Sequence, residues 1–323
     1  MSAAPYPIVV LSGFDAYFAD VPSPYFRLAA RWDGKASASG SPDFDEAAAL
    51  VVSSIINVPA ELLARMPKLQ LICCFGAGYD GVPLDLVRQR NLTVTHSPGA
   101  NAGAVAEMAV GLLLSVSRRI AEGDRFVREQ RWPQGQGVRV LPVVQGIEGA
   151  RIGIAGMGTV GSNVASRILP FGTEIGYVNP SPRPGLPYRR FDDIRALAEW
   201  ADVLVVCARS GKDSRHLIDR DVLAALGPQG ILVNVSRGDV VDEEALLDVL
   251  ENGKIAGAGL DVFLNEPNVQ ERFMRLSNVV LSPHVAGRTI GAYQSMARMV
   301  IGNLEAFFSG QAVPNLIPPL RKT

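Results

Sequence analysis

The sequence predicts an α/β protein with two domains, each a doubly wound parallel sheet. Short apolar runs rich in β-branched residues alternate with helical stretches, which is typical of parallel strands joined by crossover helices. At 323 residues the chain is too long for one ordinary core and suggests about two. A second alternating series begins at Arg151, where an apolar run leads directly into a glycine-rich turn.

The first series predicts strands at residues 8–11, 49–53, 69–75 and 93–95, and helices at 59–66 and 83–90. Residues 102–119 then predict a long helix that is apolar and rich in Ala and Gly, so we expect it to be buried. The next stretch, 122–149, is polar and glycine-rich. We expect an extended loop or arm there, part of a dimerisation arm over 120–150.

The second series predicts six strands, at 151–155, 174–178, 203–207, 231–235, 257–261 and 279–281. Helices are expected between them, including 219–226 and 242–252. A last helix is expected at 290–309 with Thr289 as its N-cap, followed by an extended proline-containing tail.

Composition excludes several classes of partner. The formal net charge is −1 and 48% of residues are hydrophobic, so no basic surface for nucleic acid or an anionic membrane is expected. We expect no signal peptide, and the longest apolar stretch, 108–116, is far below the roughly 20 residues that span a bilayer. Cys73, Cys74 and Cys207 lie in apolar runs, which favours inert thiols, a cytoplasmic location and no metal site.

The glycine-rich turn predicts a ligand class. Residues 151–161 read RIGIAGMGTVG, so a strand leads into the spacing G-x-G-x-x-G and a helix follows. Glycine lets the backbone approach a pyrophosphate, and the helix N-terminus offers it free N–H groups. The pattern predicts a dinucleotide site, the alternative being a plain strand–turn–helix corner. Its candidate residues are Gly156, Met157, Gly158, Thr159, Val160 and Gly161.

Three chemically suited side chains follow other strands of this Rossmann-like domain. Arg237, Glu266 and His284 each come after a predicted strand, at the sheet edge where the glycine turn lies. An arginine binds a carboxylate with two parallel hydrogen bonds, a histidine transfers a proton near neutral pH, and a carboxylate orients the imidazole. Beside a nicotinamide, these groups suffice to reduce a 2-keto acid. Cys207 and Val235, at the ends of two strands, are further candidate cofactor contacts, whereas structural roles are favoured for His96 and His216.

The strand at 174–178 bears on the choice of cofactor. An acid that binds the ribose 2′-OH of NAD is expected at its end, but Asn179 stands there, followed by Ser181 and Arg183. These three side chains can bind a 2′-phosphate, whereas a carboxylate would repel one. The segment therefore predicts a preference for NADP(H), with NAD(H) as the other cofactor. The alternative is that Arg183 is solvated in a proline-rich loop.

Together these segments resemble the D-isomer-specific 2-hydroxyacid dehydrogenases. The resemblance rests on the glycine turn, SRGDVVDEEAL (236–246), GLDVFLNEP (259–267) and SPHVAG (282–287), which occur in the family's order. CFGAGYD (74–80), SPG (97–99) and VAE (105–107) extend it into the first domain. The stretch 118–132 is most similar to the glyoxylate/hydroxypyruvate reductase branch.

The resemblance implies a role for each matching residue. His284 would be the acid/base, Glu266 would keep it protonated as pH rises, and Arg237 would hold the substrate carboxylate. Asp261 would contact the nicotinamide amide. The backbone N–H groups of three residues would complete the carboxylate pocket: Gly76, Ala77 and Gly78. Trp132 would either reach the active site of a partner subunit or pack in a dimer interface.

These roles predict NADPH-dependent reduction of glyoxylate or hydroxypyruvate to the D-2-hydroxy acid by a homodimer. Residues 1–101 with 288–323 would form a flavodoxin-like substrate-binding domain and 102–287 the dinucleotide-binding domain, with the active site in the cleft between them. The alternatives are a 2-ketogluconate or aryl-pyruvate reductase and, in another class, a non-catalytic dinucleotide-sensing protein.

Overall fold

The computed structural model describes residues 4–35, 42–132 and 141–318. The chain divides into two compact units, one of Met1–Asn101 with Arg288–Thr323 and one of Ala102–Gly287. Each unit has its own sheet and its own hydrophobic core.

The described strands are, in chain order, β1 (Tyr6–Leu11), β2 (Phe26–Trp32), β3 (Ala49–Ser53), β4 (Leu71–Phe75), β5 (Thr93–Thr95), β6 (Arg151–Ala155), β7 (Glu174–Val178), β8 (Arg189–Arg190), β9 (Val203–Val206), β10 (Ile231–Asn234), β11 (Gly257–Leu260) and β12 (Val279–Leu281). The described helices are α1 (Asp43–Glu46), α2 (Ala60–Ala64), α3 (Leu84–Gln89), α4 (Ala102–Ser117), α5 (Ile120–Arg128), α6 (Thr159–Ile168), α7 (Ile194–Trp200), α8 (Arg220–Leu226), α9 (Glu243–Glu251), α10 (Glu271–Arg275) and α11 (Ile290–Phe308).

The first unit is built on a parallel sheet whose strand order, over the described residues, is β2-β1-β3-β4-β5. All residues of β4 are buried, as expected for a strand covered on both faces. Helix α11 packs against β2 and β4. It begins as predicted, because the Thr289 side chain accepts a hydrogen bond from the Ala292 N–H at 3.2 Å. The tail pairs with β5, where the Ile317 N–H donates to the Val94 carbonyl.

The second unit has a parallel sheet of order β12-β11-β10-β9-β6-β7-β8 within the part of the chain described. The chain adds β7 and β8 on one side of β6 and then crosses to add β9 on the other. The point where strand order reverses therefore lies between β6 and β9, which is where doubly wound sheets bind ligands. Half of the residues of helix α4 are buried, in line with the expected burial, and the helix packs against β10, β11 and β12.

The structure corrects the predicted elements in places. The stretch 122–149 is not wholly an extended loop, because its first part belongs to α5, where Arg128 is bonded to Asp124 one turn earlier. Residues 133–140 of the predicted arm lie outside the described residues. Strands β2 and β8 and helices α1 and α5 were not predicted, whereas α7 and α10 were expected only as helices without stated bounds between strands. Both missed strands end the described sheets, and β8 is two exposed arginines with no apolar pattern to mark it.

Candidate active site

The glycine turn has the shape that a pyrophosphate needs. Gly156 has φ +99°, and a Cβ there would stand 2.7 Å from the Ala208 nitrogen. A Cβ on Gly161 would stand 2.2 Å from the Gly156 carbonyl oxygen, so this glycine lets α6 pack onto the turn. A Cβ on Gly158 would meet no described heavy atom within 4 Å. The turn is therefore closed on the protein side and open at Gly158, where the N-terminus of α6 begins. These residues fit a dinucleotide pyrophosphate.

A side chain from the segment that follows β7 contacts this turn. Arg183 Nε donates a hydrogen bond to the Met157 carbonyl at 2.8 Å, which places the guanidinium beside the glycines. Asn179 Nδ2 donates to the Ser181 carbonyl at 2.8 Å, so the two residues form one local turn. Glu174 is exposed at the opposite end of β7. The structure thus places Arg183 beside the glycine turn and bonds Asn179 to Ser181 within the same segment.

His284 and Glu266 form a close pair. His284 Nδ1 and Glu266 Oε2 lie 2.6 Å apart, and Glu266 Oε1 accepts a hydrogen bond from the Phe263 N–H at 2.9 Å. Burial raises the pKa of the Glu266 carboxyl. The hydrogen bonds from His284 and Phe263, with the charges of His284 and Arg237, outweigh burial and hold that pKa below its usual 4.5. Glu266 is therefore a carboxylate that is bonded to Nδ1 of His284. The other ring nitrogen, Nε2, is the one that remains for proton transfer.

Asp261 holds the backbone beneath this pair. Its buried carboxylate accepts hydrogen bonds from the N–H groups of Val285 at 3.0 Å and Ala286 at 2.9 Å. Its carbonyl oxygen accepts one from the His284 N–H at 2.8 Å. These bonds stabilise His284 at φ +51°, a conformation that a histidine rarely adopts. The resemblance implied only a cofactor contact for Asp261, and sequence reasoning missed this second role.

The segment that carries Arg237 is fixed by a buried residue that sequence reasoning also missed. Asn234, only 1% exposed, donates from Nδ2 to the Arg237 carbonyl at 3.0 Å. Its Oδ1 accepts from both the N–H and the hydroxyl of Ser236. Arg237 Nη1 donates to the Ser236 carbonyl. A polar residue at the end of an otherwise apolar strand is the signal that could have identified Asn234 from the sequence.

Of the remaining candidates in the second unit, Met157 is buried and Thr159 and Val160 open α6. Cys207 and Val235 are the first residues after β9 and β10, because each strand ends one residue earlier than predicted. Burial raises the pKa of the Cys207 and Cys73 thiols to about 12, and burial likewise raises the pKa of Cys74. All three thiols are free in the described chain, and none is poised to react.

The Gly76–Gly78 segment belongs to the first unit. The Gly76 N–H donates to the Cys74 carbonyl at 3.0 Å, so this donor is already in use. His96 is buried, and its Nδ1 lies 2.8 Å from the Ala77 carbonyl oxygen. His96 thus stabilises the segment. In the second unit, the His216 N–H donates to the Asp239 carbonyl.

The described residues hold neither a candidate metal site nor a candidate membrane span. No three His, Cys, Asp or Glu side chains there are grouped to hold a metal ion. No helix in the described ranges has the length and apolar character needed to cross a bilayer.

The chain is similar to known proteins over most of its length. Residues 110–286 match the family model of the D-isomer specific 2-hydroxyacid dehydrogenase, NAD binding domain. The chain is 41% identical to glyoxylate/hydroxypyruvate reductase HPR3 of Arabidopsis thaliana over 82% of its own length and 81% of that protein. It is also 41% identical to 2-ketogluconate reductase of Gluconobacter oxydans, over 80% and 82%.

Among solved structures, an NADPH-dependent glyoxylate/hydroxypyruvate reductase from Sinorhizobium meliloti, in complex with NADP and malonate, superposes with a TM-score of 0.87. Its sequence is 33% identical to this one, and the match covers 99% of each chain.

Proposed function

Because the chain belongs to the D-isomer-specific 2-hydroxyacid dehydrogenase family, we propose that it uses NADPH to reduce glyoxylate to glycolate, or hydroxypyruvate to its D-2-hydroxy acid. It is an NAD(P)-dependent enzyme of the glyoxylate/hydroxypyruvate reductase branch. The observation that carries the proposal is the His284–Glu266 pair, 2.6 Å apart, on the unit that also holds the glycine turn.

The proton and the substrate charge are handled by this chain's own side chains. We assign proton donation to His284 Nε2, since Nδ1 is bonded to Glu266. The carboxylate of Glu266 holds the imidazole in place for that donation. Arg237 would bind the substrate carboxylate and stabilise negative charge that develops on the carbonyl oxygen. The nicotinamide, when bound, supplies the hydride.

The glycine turn and its neighbours would hold the cofactor. The open face at Gly158 and the N-terminus of α6 suit the pyrophosphate, and Asp261 would contact the nicotinamide amide. We propose NADPH over NADH because Asn179 stands where NAD enzymes carry an acid and because Arg183 is bonded to the turn. The remaining assignments, to Ser181, Cys207 and Val235, stay predictions.

We propose that backbone N–H groups of Gly76, Ala77 and Gly78 also bind the substrate carboxylate. The Cys74 carbonyl already accepts from Gly76, so this role falls mainly to Ala77 and Gly78. The placement of the active site in an interdomain cleft stays a prediction.

A homodimer belongs to the proposal. Helix α5 buries none of its residues within the chain and exposes Ile120 and Val127, 56% and 53% accessible. Trp132, just beyond it, is 61% exposed. Three apolar side chains in one exposed segment favour contact with a second copy, in which Trp132 either packs or reaches the partner's site. Sedimentation of the purified protein tests the assembly, and a monomer would contradict it. Free thiols favour a cytoplasmic location, which cell fractionation tests.

A 2-ketogluconate reductase is the second candidate function, because the relative of that name is as similar to this chain as the Arabidopsis reductase is. Steady-state assays of glyoxylate, hydroxypyruvate, 2-ketogluconate and an aryl-pyruvate, each with NADPH and NADH, test the proposal. We expect the highest kcat/KM for the first two with NADPH. A higher value for 2-ketogluconate or for NADH would overturn the corresponding part, and absence of turnover would favour a dinucleotide-sensing protein.

A further inference from the structure

Glu243 is a buried carboxylate to which neither the sequence patterns nor the family resemblance assigned a role. It opens α9, directly after the N-cap Asp242, and only 7% of the residue is exposed. An ionised carboxylate in such a place is costly unless hydrogen bonds replace its water. The helix N-terminus favours its charge but does not explain why the side chain is turned inward.

The two oxygens of Glu243 have specific partners. Oε2 accepts a hydrogen bond from the Leu264 N–H at 2.9 Å, and Oε1 accepts one from Gln270 Nε2 at 2.9 Å. Leu264 directly follows Phe263, whose N–H donates to Glu266 Oε1. The consecutive N–H groups of Phe263 and Leu264 therefore donate to two different carboxylates. Glu266 belongs to the same loop, whereas Glu243 belongs to α9.

The same peptide also touches the arginine segment. A Cβ on Gly238 would stand 2.0 Å from the Phe263 carbonyl carbon and 2.4 Å from the Leu264 nitrogen. The Phe263–Leu264 peptide is thus bounded by the backbone next to Arg237 on one side and is hydrogen-bonded to Glu243. Because Glu266 follows this peptide by two residues, the position of the peptide sets the position of the Glu266 main chain. It therefore affects how the Glu266 carboxylate reaches His284.

We propose that Glu243 is a positioning residue for the reductase reaction: it anchors the Phe263–Leu264 peptide and so aims Glu266 at His284. This inference rests on the proposed function. Glu243 touches neither the imidazole nor the substrate in this assignment, and it acts through the geometry of Glu266. Misplacement of a catalytic group by about 1 Å costs on the order of 10²-fold in rate.

The neighbouring glutamate is a matched control. Glu244 Oε1 accepts from the same Gln270 Nε2 at 2.8 Å, and Glu244 pairs with Arg272 at 2.9 Å. No described bond joins it to the 263–266 loop. Glu244→Met therefore removes a carboxylate from the same helix turn and the same amide without releasing Leu264.

The test compares Glu243→Met, Glu243→Gln and Glu244→Met with wild type in kcat and KM for glyoxylate and NADPH. We expect Glu243→Met to lose on the order of 10²-fold in kcat with a much smaller change in KM. Glu243→Gln keeps an oxygen for the Leu264 N–H and should retain most of kcat, as should Glu244→Met. Should Glu243→Met not fold, Glu243→Asp replaces it, because it keeps the charge but withdraws the oxygens by one methylene.

Hydrogen exchange in the cofactor-free protein adds a readout apart from turnover. Peptides covering 262–267 should exchange faster than in wild type in the Met or Asp variant of Glu243. In Glu244→Met they should exchange at the wild-type rate. Wild-type kcat in Glu243→Met, or equal losses in Glu243→Met and Glu244→Met, would overturn the inference alone. A Gln variant as impaired as the Met or Asp variant would also overturn it. A wild-type protein that turns over neither glyoxylate nor hydroxypyruvate would overturn the proposed function first.

Discussion

Gly238 lies against the main chain of Phe263: a Cβ at position 238 would stand 2.0 Å from the Phe263 carbonyl carbon and 2.1 Å from its oxygen. The residue after Arg237 and the loop that carries Glu266 are therefore in backbone contact. Since main-chain atoms cannot turn aside as a long side chain can, any larger residue at 238 must displace one segment or the other.

Gly238→Ala should therefore be destabilising and should impair the reaction. Overpacking of this kind costs about 1–3 kcal/mol, and displacement of either loop moves Arg237 or Glu266 from the geometry described here. Thermal unfolding and kcat measure the two effects. Gly111→Ala is the control, because a Cβ there meets no described atom within 4 Å and Ala favours helix α4 by up to about 1 kcal/mol. A Gly238→Ala variant as stable and active as wild type would contradict the contact.

Replacement of His284 tests the proton donor. His284→Asn removes the titrating ring, yet asparagine tolerates the left-handed backbone that His284 adopts at φ +51°. We expect reductase kcat to fall by about 10²–10⁴-fold, the usual contribution of general acid catalysis. His216→Asn is a matched control, since His216 has the same φ of +51°. A His284→Asn enzyme within a few-fold of wild type would show that the proton comes from elsewhere.

The lowered pKa of Glu266 has a consequence for stability. A carboxyl whose pKa is lower in the folded chain stabilises the fold above its unfolded pKa, near 4.5, and loses that contribution as pH falls through the folded value. The unfolding free energy of Glu266→Gln should therefore lie furthest below that of wild type at pH 6–7 and approach it below about pH 4. Urea denaturation across this range measures the difference. A gap that widens on acidification would contradict a lowered pKa of Glu266 in the folded chain.

Cofactor choice should depend on Arg183. Its bond to the Met157 carbonyl holds the guanidinium near the end of β7, where the 2′-phosphate of NADPH is proposed to lie, so Arg183→Ala should lower kcat/KM for NADPH and leave that for NADH nearly unchanged. A lost hydrogen bond to a charged group corresponds to about 1.5–3 kcal/mol, or roughly 10–10²-fold in this ratio. Asn179→Asp should act in the same direction by repelling the phosphate.

Arg195→Ala supplies the control for that experiment. It removes an exposed arginine from α7 and changes the net charge equally. An equal drop in NADPH use by Arg195→Ala would indicate a long-range charge effect in place of a contact.

The chain's periodicity was enough to predict the main architecture. Apolar runs such as β6 and β7 are flanked by turns, and their bounds agree with the prediction. Because parallel strands place all their carboxyl ends at one edge, the same pattern predicted that Arg237, Glu266 and His284 follow strands of one sheet. The two parallel sheets of the structure confirm that architecture.

Two of the unpredicted elements were missed for different reasons. Strand β8 is two exposed arginines with no apolar pattern, and it exists only by pairing with β7, so periodicity had nothing to detect there. Helix α5 has an amphipathic pattern that was overlooked in a polar, glycine-containing stretch.

The sequence by itself determined the fold class, the glycine turn and the candidate reacting side chains, because these depend on residue type and on spacing within single strands and turns. Tertiary structure alone decided how those side chains are held. Glu243 and Leu264 are 21 positions apart, and Asp261 and Ala286 are 25 apart. Bonds of this kind depend on strand register and helix packing, which bring distant backbone N–H groups within reach of a buried carboxylate. The 2.6 Å between His284 and Glu266 is therefore a property of the folded sheet edge, although both residues were recognisable beforehand.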